Sequence, residues 1–252
     1  MIQPDVQARF ATSFKQLTGH SPFPWQRRLF EEFVAGAFWS ACSLPTGVGK
    51  TSVIAVWLLA LAEAPHKVPR RLVYAVNRRT VVDQTTAEVE RYRSALEGLP
   101  DLKGALLELC AVRESADGQP LVPLAISTLR GQFADNQEWS ADPARPAVIC
   151  GTVDMIGSRL LFSGYRIGFR SRPHHAGLLG HDALLIHDEA HLEPAFQNLL
   201  DAIAFEQRHG RTQDFSPERR LRLMELTATS RPSRRSVSAE SRRRGDQSFN
   251  SG

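Results

Sequence analysis

Short apolar runs alternate along this chain with longer segments of helical periodicity. Strands are predicted near 38–43, 71–76, 122–126, 147–151, 183–187 and 222–227. Helices are predicted near 25–35, 51–63, 80–97, 153–161 and 194–207. The second of these carries apolar residues at Val53, Ile54, Val56, Trp57, Leu58 and Leu61. Strands alternating with helices predict an α/β domain of three layers, a mainly parallel sheet covered on both faces. Right-handed crossovers then place the loops at 44–50, 77–80 and 188–191 along one carboxyl edge, where such sheets bind ligands. The loops at 114–121, 131–146 and 163–182 carry Pro, Gly and charge, and no internal repeat is present.

Two segments at that edge carry chemistry. Leu44-Pro45-Thr46-Gly47-Val48-Gly49-Lys50-Thr51 follows a strand and opens a helix. Gly47 and Gly49 let the backbone curl so that several N–H groups point inward, and with the helix N-terminus they make a nest for phosphate. Thr46, Gly47, Val48, Gly49, Lys50 and Thr51 are the expected nucleotide contacts, with Lys50 reaching the β- and γ-phosphates and the Thr51 hydroxyl on Mg²⁺. The strict phosphate-loop pattern asks for Gly where this chain has Leu44. Ala183-Leu184-Leu185-Ile186 is the second segment, an apolar strand running through His187 into Asp188, Glu189, Ala190 and His191. Asp188 suits Mg²⁺, which takes oxygen ligands, and Glu189 suits a base that orients or deprotonates water. Together the two segments predict a site that holds a nucleoside triphosphate with Mg²⁺ and directs water at it.

Charge sharpens the boundaries. The chain has 31 basic and 27 acidic residues, of which six arginines and two acids lie from Arg231 onward, leaving 25 of each in residues 1–230. The net charge of +4 therefore belongs to the tail, and the body offers no basic face as evidence for nucleic acid. Residues 231–252 are rich in Ser and Arg, with Val237 and Phe249 as the large apolar residues, a composition that predicts disorder. Such a tail binds nucleic acid weakly and nonspecifically, or is simply a solvated run. Residues 1–20 read as an N-terminal extension and 21–230 as the folded domain. Cys42, Cys110 and Cys150 are odd in number and widely spaced, which predicts reduced thiols in a cytoplasmic protein. No signal pattern follows Met1, and the longest apolar stretch is too short to span a bilayer, so no membrane partner is expected.

Further motifs carry a resemblance. The Pro-Thr-Gly-x-Gly-Lys-Thr form of the loop is similar to that of superfamily 2 helicases, and Asp188-Glu189-Ala190-His191 to the box that names one of their groups. Phe23-Pro24-Trp25-Gln26 resembles their adenine-reading glutamine motif. The run from Tyr74 to Gln84 looks like motif Ia, Thr128-Leu129-Arg130-Gly131 like motif Ib, and Leu226-Thr227-Ala228-Thr229 like motif III. Cys150-Gly151-Thr152-Val153-Asp154-Met155 resembles a further motif that faces nucleic acid. The set is most similar to the Cas3 family of CRISPR helicase-nucleases, in the branch called type I-U or I-G, over about residues 20–230.

That resemblance implies a RecA-like P-loop NTPase domain and an ATP-driven motor on single-stranded DNA, recruited by a CRISPR surveillance complex. It gives Gln26 the adenine edge and Asn77, Arg78, Arg79, Arg130 and Thr152 the DNA backbone, with Asp154 a lesser contact. His191, Thr227 and Thr229 would couple hydrolysis to domain movement. Phe23 and Trp25 either lie against adenine or, for Trp25, pack the first helix. One of Arg78 and Arg79 either meets phosphate or pairs with Asp83 or Glu88. Thr152 is placed to cap its helix as well. Neither His181-Asp182 nor the His174-His175 pair, expected in a solvated loop, has the setting of an HD nuclease or a zinc site.

A complete helicase of this kind has a second RecA-like domain with arginines that act on the γ-phosphate. After Thr229 there are 23 residues, too few for it. The expectation is a first RecA-like domain alone, truncated or frameshifted after motif III and lacking nuclease activity. Alternatives are a non-catalytic nucleotide-binding subunit that needs a partner chain carrying the second domain, or another superfamily 2 motor, such as an RNA helicase or restriction translocase.

Overall fold

The computed structural model describes residues 3–45, 47–114, 118, 121–130, 138–164, 167–209 and 216–227. In chain order the elements are α1 (Pro4–Thr18), α2 (Pro24–Ala35), β1 (Ala41–Ser43), α3 (Val53–Glu63), β2 (Arg71–Val76), α4 (Arg79–Ala95) and α5 (Pro100–Leu107). There follow β3 (Ala125–Leu129), α6 (Glu138–Ala141), β4 (Ala147–Thr152), α7 (Val153–Leu160), α8 (Arg172–Gly180), β5 (Ala183–Asp188), α9 (Pro194–His209) and β6 (Arg222–Thr227). The six strands form one sheet in the order β1-β6-β5-β2-β4-β3, and every pairing is parallel.

Strand side chains alternate between two cores. Leu72, Tyr74 and Val76 of β2, with Leu184 and Ile186 of β5, join the apolar faces of α1 to α5. Val73 and Ala75, with Ala183 and Leu185, join Trp139 and the faces of α7, α8 and α9. The strands are buried on both faces, so they read as continuous apolar runs. α3 is the inner helix of the first layer, buried from Val53 to Leu61, and the Trp57 indole N–H donates to the Pro69 carbonyl at 2.8 Å.

At the amino edge the sheet is pinned by charge. The buried Arg71 guanidinium donates to the carbonyls of Pro143, Leu178 and His181 at 2.7–2.9 Å, and burial pushes its pKa down. Asp182 accepts from the Arg70 N–H and the Arg219 side chain. These contacts tie the starts of β2 and β5 to the loops before β4 and β6.

The predicted strands agree with the observed ones, except that β1 is shorter and β3 begins at Ala125. The expected helices are present, with α3 entered through a 3₁₀ turn at Lys50–Ser52. α1, α5, α6 and α8 were not anticipated. The segment 1–20, set apart as an extension, contains α1, whose Phe10, Phe14 and Leu17 are buried at helical spacing. Phe10 stacks on Phe30 of α2 with ring centroids 4.2 Å apart. His174 and His175, expected in a solvated loop, lie on α8. His175 is buried edge-on against Trp139, because α8 packs beside α7 and β5. The tail 231–252 lies outside the described residues.

Phe10→Ala is expected to cost about 3 kcal/mol in urea unfolding, the ordinary consequence of removing a buried aromatic ring. A loss under about 0.5 kcal/mol, typical of surface positions, would show α1 to be an appendage.

Candidate nucleotide site

Because all six strands are parallel, the loops that follow them emerge at one edge. After β1 the Leu44 N–H donates to the Thr227 carbonyl at 3.0 Å, so the start of the phosphate loop is fixed to the end of β6. Gly47 and Gly49 have φ of +86° and +71°, a region open to glycine and costly for other residues. The chain then winds through Lys50–Ser52 into α3, whose N-terminal end carries partial positive charge. Gly47, Val48, Gly49, Lys50 and Thr51 are thus gathered where sequence placed them. Thr46 lies outside the described residues.

β5 supplies the facing half. Asp188 ends the strand on the same side as Leu184 and Ile186, toward α3. Glu189 follows with φ +54° and ψ +42°, a left-handed conformation that costs a non-glycine residue about 1–3 kcal/mol. The turn turns Glu189 back over the phosphate loop. Its Oε1 lies 3.3 Å from Lys50 Nζ, although the two residues are 139 positions apart. Its Oε2 lies 3.4 Å from His191 Nδ1. The turn Ala190–Leu192 packs on β6, whose last residue, Thr227, is buried. Thr229 lies outside the described residues.

Tyr74 joins the two halves and was not singled out from sequence. Its hydroxyl donates to Asp188 Oδ2 at 2.8 Å and is hydrogen-bonded by Thr51. Burial raises the Asp188 pKa, partly offset by the Tyr74 hydrogen bond. Asp188 Oδ1 is buried with no hydrogen-bond partner among the described residues. A buried carboxylate oxygen without a donor is costly, and a cation or its bound water would satisfy it. Thr51 and Asp188 form an all-oxygen donor set of the kind that a hard divalent cation prefers. No group of three or more His, Cys, Asp and Glu side chains suited to a metal occurs among the described residues. Most of the cation's ligands would therefore come from phosphate and water.

Beside the loop lies a cleft of about 550 Å³, lined among others by Phe14, Phe23, Gln26, Gly47, Gly49 and Tyr92. Phe23 is 47 % exposed, with room for a flat ring against it. Trp25 packs against the helical core and does not line the cleft, which decides between its two readings. Gln26 does line it but is only 2 % exposed.

The residues expected on nucleic acid cluster at the other half of the same edge, after β2, β3 and β4. Asn77 is half-buried, and Arg78 and Arg79 are exposed. Asp83 pairs with Arg130, and Glu88 with Arg91. Neither acid is taken by Arg78 or Arg79, which leaves both arginines facing solvent among the described residues. Arg130 is itself held by that pair. Thr152 occupies the N-cap position of α7, but its side chain makes no cap hydrogen bond and is buried, so the expected capping role is corrected. Asp154 is exposed in the first turn of α7.

The thiols of Cys42, Cys110 and Cys150 are free and buried. Burial pushes Cys42 up to about 11 and Cys150 up to about 12, which makes them inert at neutral pH. No helix among the described residues is long and apolar enough to cross a membrane.

The family described as type III restriction enzyme, res subunit, matches residues 20–231. No curated protein matches the chain. Among solved structures, the yeast DEAD-box splicing factor Prp28 aligns with a TM-score of 0.54 and 15 % identity, over 91 % of this chain and 45 % of that one. The DEAD-box helicase Mss116 bound to ssRNA and UDP-BeF gives 0.51 and 15 %, over 87 % and 38 %. A DEAD box protein from Methanococcus jannaschii gives 0.47 and 15 %, over 87 % and 47 %. The fold shared with Prp28 and Mss116 is the RecA-like helicase α/β domain, and this chain spans less than half the length of each of the three structures.

Asp188→Asn keeps an acceptor for the Tyr74 hydroxyl and removes the buried charge. A carboxyl whose folded pKa is raised stabilises the fold below its unfolded value near 3.9 and loses that contribution as pH rises through the raised value. At pH 7 the variant should therefore melt about 2–4 °C above the wild type, with the gap closing as the pH approaches 4. Equal melting temperatures at both pH values would show that Asp188 carries no burial cost.

Proposed function

The chain belongs to the family of the type III restriction enzyme res subunit, and from that premise we propose that it is the ATP-binding motor domain of a superfamily 2 DNA helicase of the Cas3-like branch. It would act in CRISPR interference by coupling ATP hydrolysis to movement along single-stranded DNA in the cytoplasm. The observation that carries the reading is the meeting of Lys50 and Glu189 beside Asp188, whose inner oxygen has no hydrogen-bond partner among the described residues. A phosphate-binding cation, a water-directing carboxylate and a metal-seeking carboxylate stand together at the mouth of a phosphate nest.

The residues suggest an order of events. In the free domain the Lys50 ammonium is neutralised by Glu189. A triphosphate in the nest offers Lys50 more negative charge than one carboxylate does, and charge-assisted bonds to phosphate draw it away. Thr51 and Asp188 would hold Mg²⁺, which when bound neutralises charge on the phosphate oxygens. Tyr74 keeps those two residues in register. Released from Lys50, the Glu189 carboxylate is free to orient a water and accept its proton. His191 would carry the change at Glu189 toward β6, where Thr227 also anchors the start of the phosphate loop; Thr229 belongs to the same proposed coupling path. Asn77, Arg78, Arg79, Arg130 and Thr152 would meet the DNA backbone at the far half of the edge. Arg130 would have to exchange Asp83 for phosphate, a fair trade at an exposed pair.

Full turnover on this reading needs a second RecA-like domain, whose arginines act on the γ-phosphate and contribute about 10³–10⁵ in rate in related NTPases. The rest of a longer protein or a separate chain would supply it. A restriction-type DNA translocase is the second reading, favoured by the matching family itself. It shares the motor and differs in the complex that recruits it.

Lys50→Ala should weaken MgATP binding by about 10- to 100-fold, the range expected on losing a charge-assisted contact; unchanged affinity would remove the phosphate-loop assignment. Glu189→Gln should keep ATP bound. In the presence of single-stranded DNA and a second-domain polypeptide it should lower hydrolysis by about 10²–10⁴-fold, as loss of a general base does. Normal turnover in that variant would exclude Glu189 as the base, and hydrolysis unaffected by DNA would count against a DNA motor.

A further inference from the structure

One phenol oxygen serves both of the chain's candidate cation ligands. Tyr74 lies on β2, in register with Ile186 of β5 on one side and Cys150 of β4 on the other. Its side chain is 1 % exposed and packed into the core that contains Val53 and Ile54 of α3. A ring locked by packing holds its hydroxyl in one place. That hydroxyl donates to Asp188 Oδ2 at 2.8 Å, 114 positions along the chain. Thr51 hydrogen-bonds the same phenol in the direction that eases its ionisation, which makes Thr51 the donor. The protons therefore run from Thr51 to Tyr74 to Asp188.

That order prepares both ligands. A hydroxyl has one proton and two lone pairs. With its proton committed to Tyr74, Thr51 turns no hydrogen toward a cation. Asp188 is gripped at Oδ2, so its carboxylate plane is set by a residue anchored in a central strand. Its Oδ1 is buried with no hydrogen-bond partner among the described residues. Without the phenol, both the Thr51 proton and the Asp188 carboxylate would be free to turn.

We propose that Tyr74 is a positioning residue for the cation site, and that its tether makes the site favour a small octahedral cation over a larger one. This rests on the nucleotide-site reading above. Mg²⁺ demands nearly ideal octahedral geometry, whereas Ca²⁺ accepts flexible and variable coordination. Ligands fixed in direction therefore serve Mg²⁺ best, and loosening them harms Mg²⁺ more than Ca²⁺.

The test is equilibrium dialysis of the full chain against labelled ATP with excess EDTA, saturating Mg²⁺ or saturating Ca²⁺, repeated with Tyr74→Phe. The wild type should gain about tenfold more affinity from Mg²⁺ than from Ca²⁺. Tyr74→Phe should lower the Mg²⁺ gain by about tenfold, the effect of losing a group that orients a metal ligand. Its Ca²⁺ gain should fall by no more than about threefold, and its metal-free affinity should stay at the wild-type value. Equal gains from Mg²⁺ and Ca²⁺ in the wild type overturn the proposal without recourse to the variant. An unchanged Mg²⁺ gain in Tyr74→Phe also overturns it. Loss of binding in all three conditions, through misfolding or otherwise, makes Tyr74 a residue of the fold alone and overturns its positioning role. If the wild type binds no ATP in any condition, the nucleotide-site reading falls and takes this inference with it.

Discussion

The all-parallel sheet is the constraint on which everything else in this domain depends. Six strands running the same way put their carboxyl ends on one edge, and each parallel neighbour must be reached by a crossover packed on a face. The two apolar cores are the result: each face of the sheet has its own helical layer, and alternate residues of every strand serve one or the other. Asp188 and Tyr74 reach the same side as α3 because they share the parity that also buries Leu184 and Ile186. Had the strand slipped by one residue, His187 would face the phosphate loop in place of Asp188. His187 instead reaches Gln197 of α9 at 2.9 Å, on the opposite face.

The same constraint divides the edge by strand order. β1, β6 and β5 hold the phosphate loop, Thr227 and the carboxylates, while β2, β4 and β3 hold Asn77, Arg78, Thr152 and Arg130. β2 lies between β5 and β4, and Tyr74 on it reaches the Asp188 carboxylate. Nucleotide chemistry and the proposed nucleic-acid contacts are thus adjacent without overlapping. Local stability is set aside at the candidate site: Glu189 holds a left-handed backbone, and Asp188 a buried oxygen without a donor among the described residues. The opposite edge, where Arg71 satisfies three carbonyls and Asp182 gathers two arginines, provides rigidity in exchange.

Much of this was legible in the chain. Strands buried on both faces are dense apolar runs, so β2, β4, β5 and β6 stood out, and the two glycines before Lys50 fixed the phosphate turn through their freedom at positive φ. α1 and α5 carry helical spacing in Phe10, Phe14 and Leu17, and in Leu102 and Leu106, with a proline at the first turn of each, but α5 is only eight residues long and α1 has polar residues between its aromatic ones. Arg, Pro, His and Gly make α8 resemble a loop in sequence, while in the fold it buries His175 against Trp139 together with Ala176, Leu178 and Leu179.

The sequence alone determined the class of fold and marked the glycine-rich loop and the Asp188-Glu189 pair as candidates, since both rest on local patterns: periodicity, glycine spacing and a strand ending in acids. Only the tertiary structure decided which groups meet. Lys50 and Glu189 touch across 139 positions, Asp83 belongs to Arg130, Tyr74 holds Asp188, and Gln26 bridges the Phe23 N–H and Ser52. Such pairings depend on strand order and side-chain direction, which follow from how the whole chain packs and leave no mark at a single position.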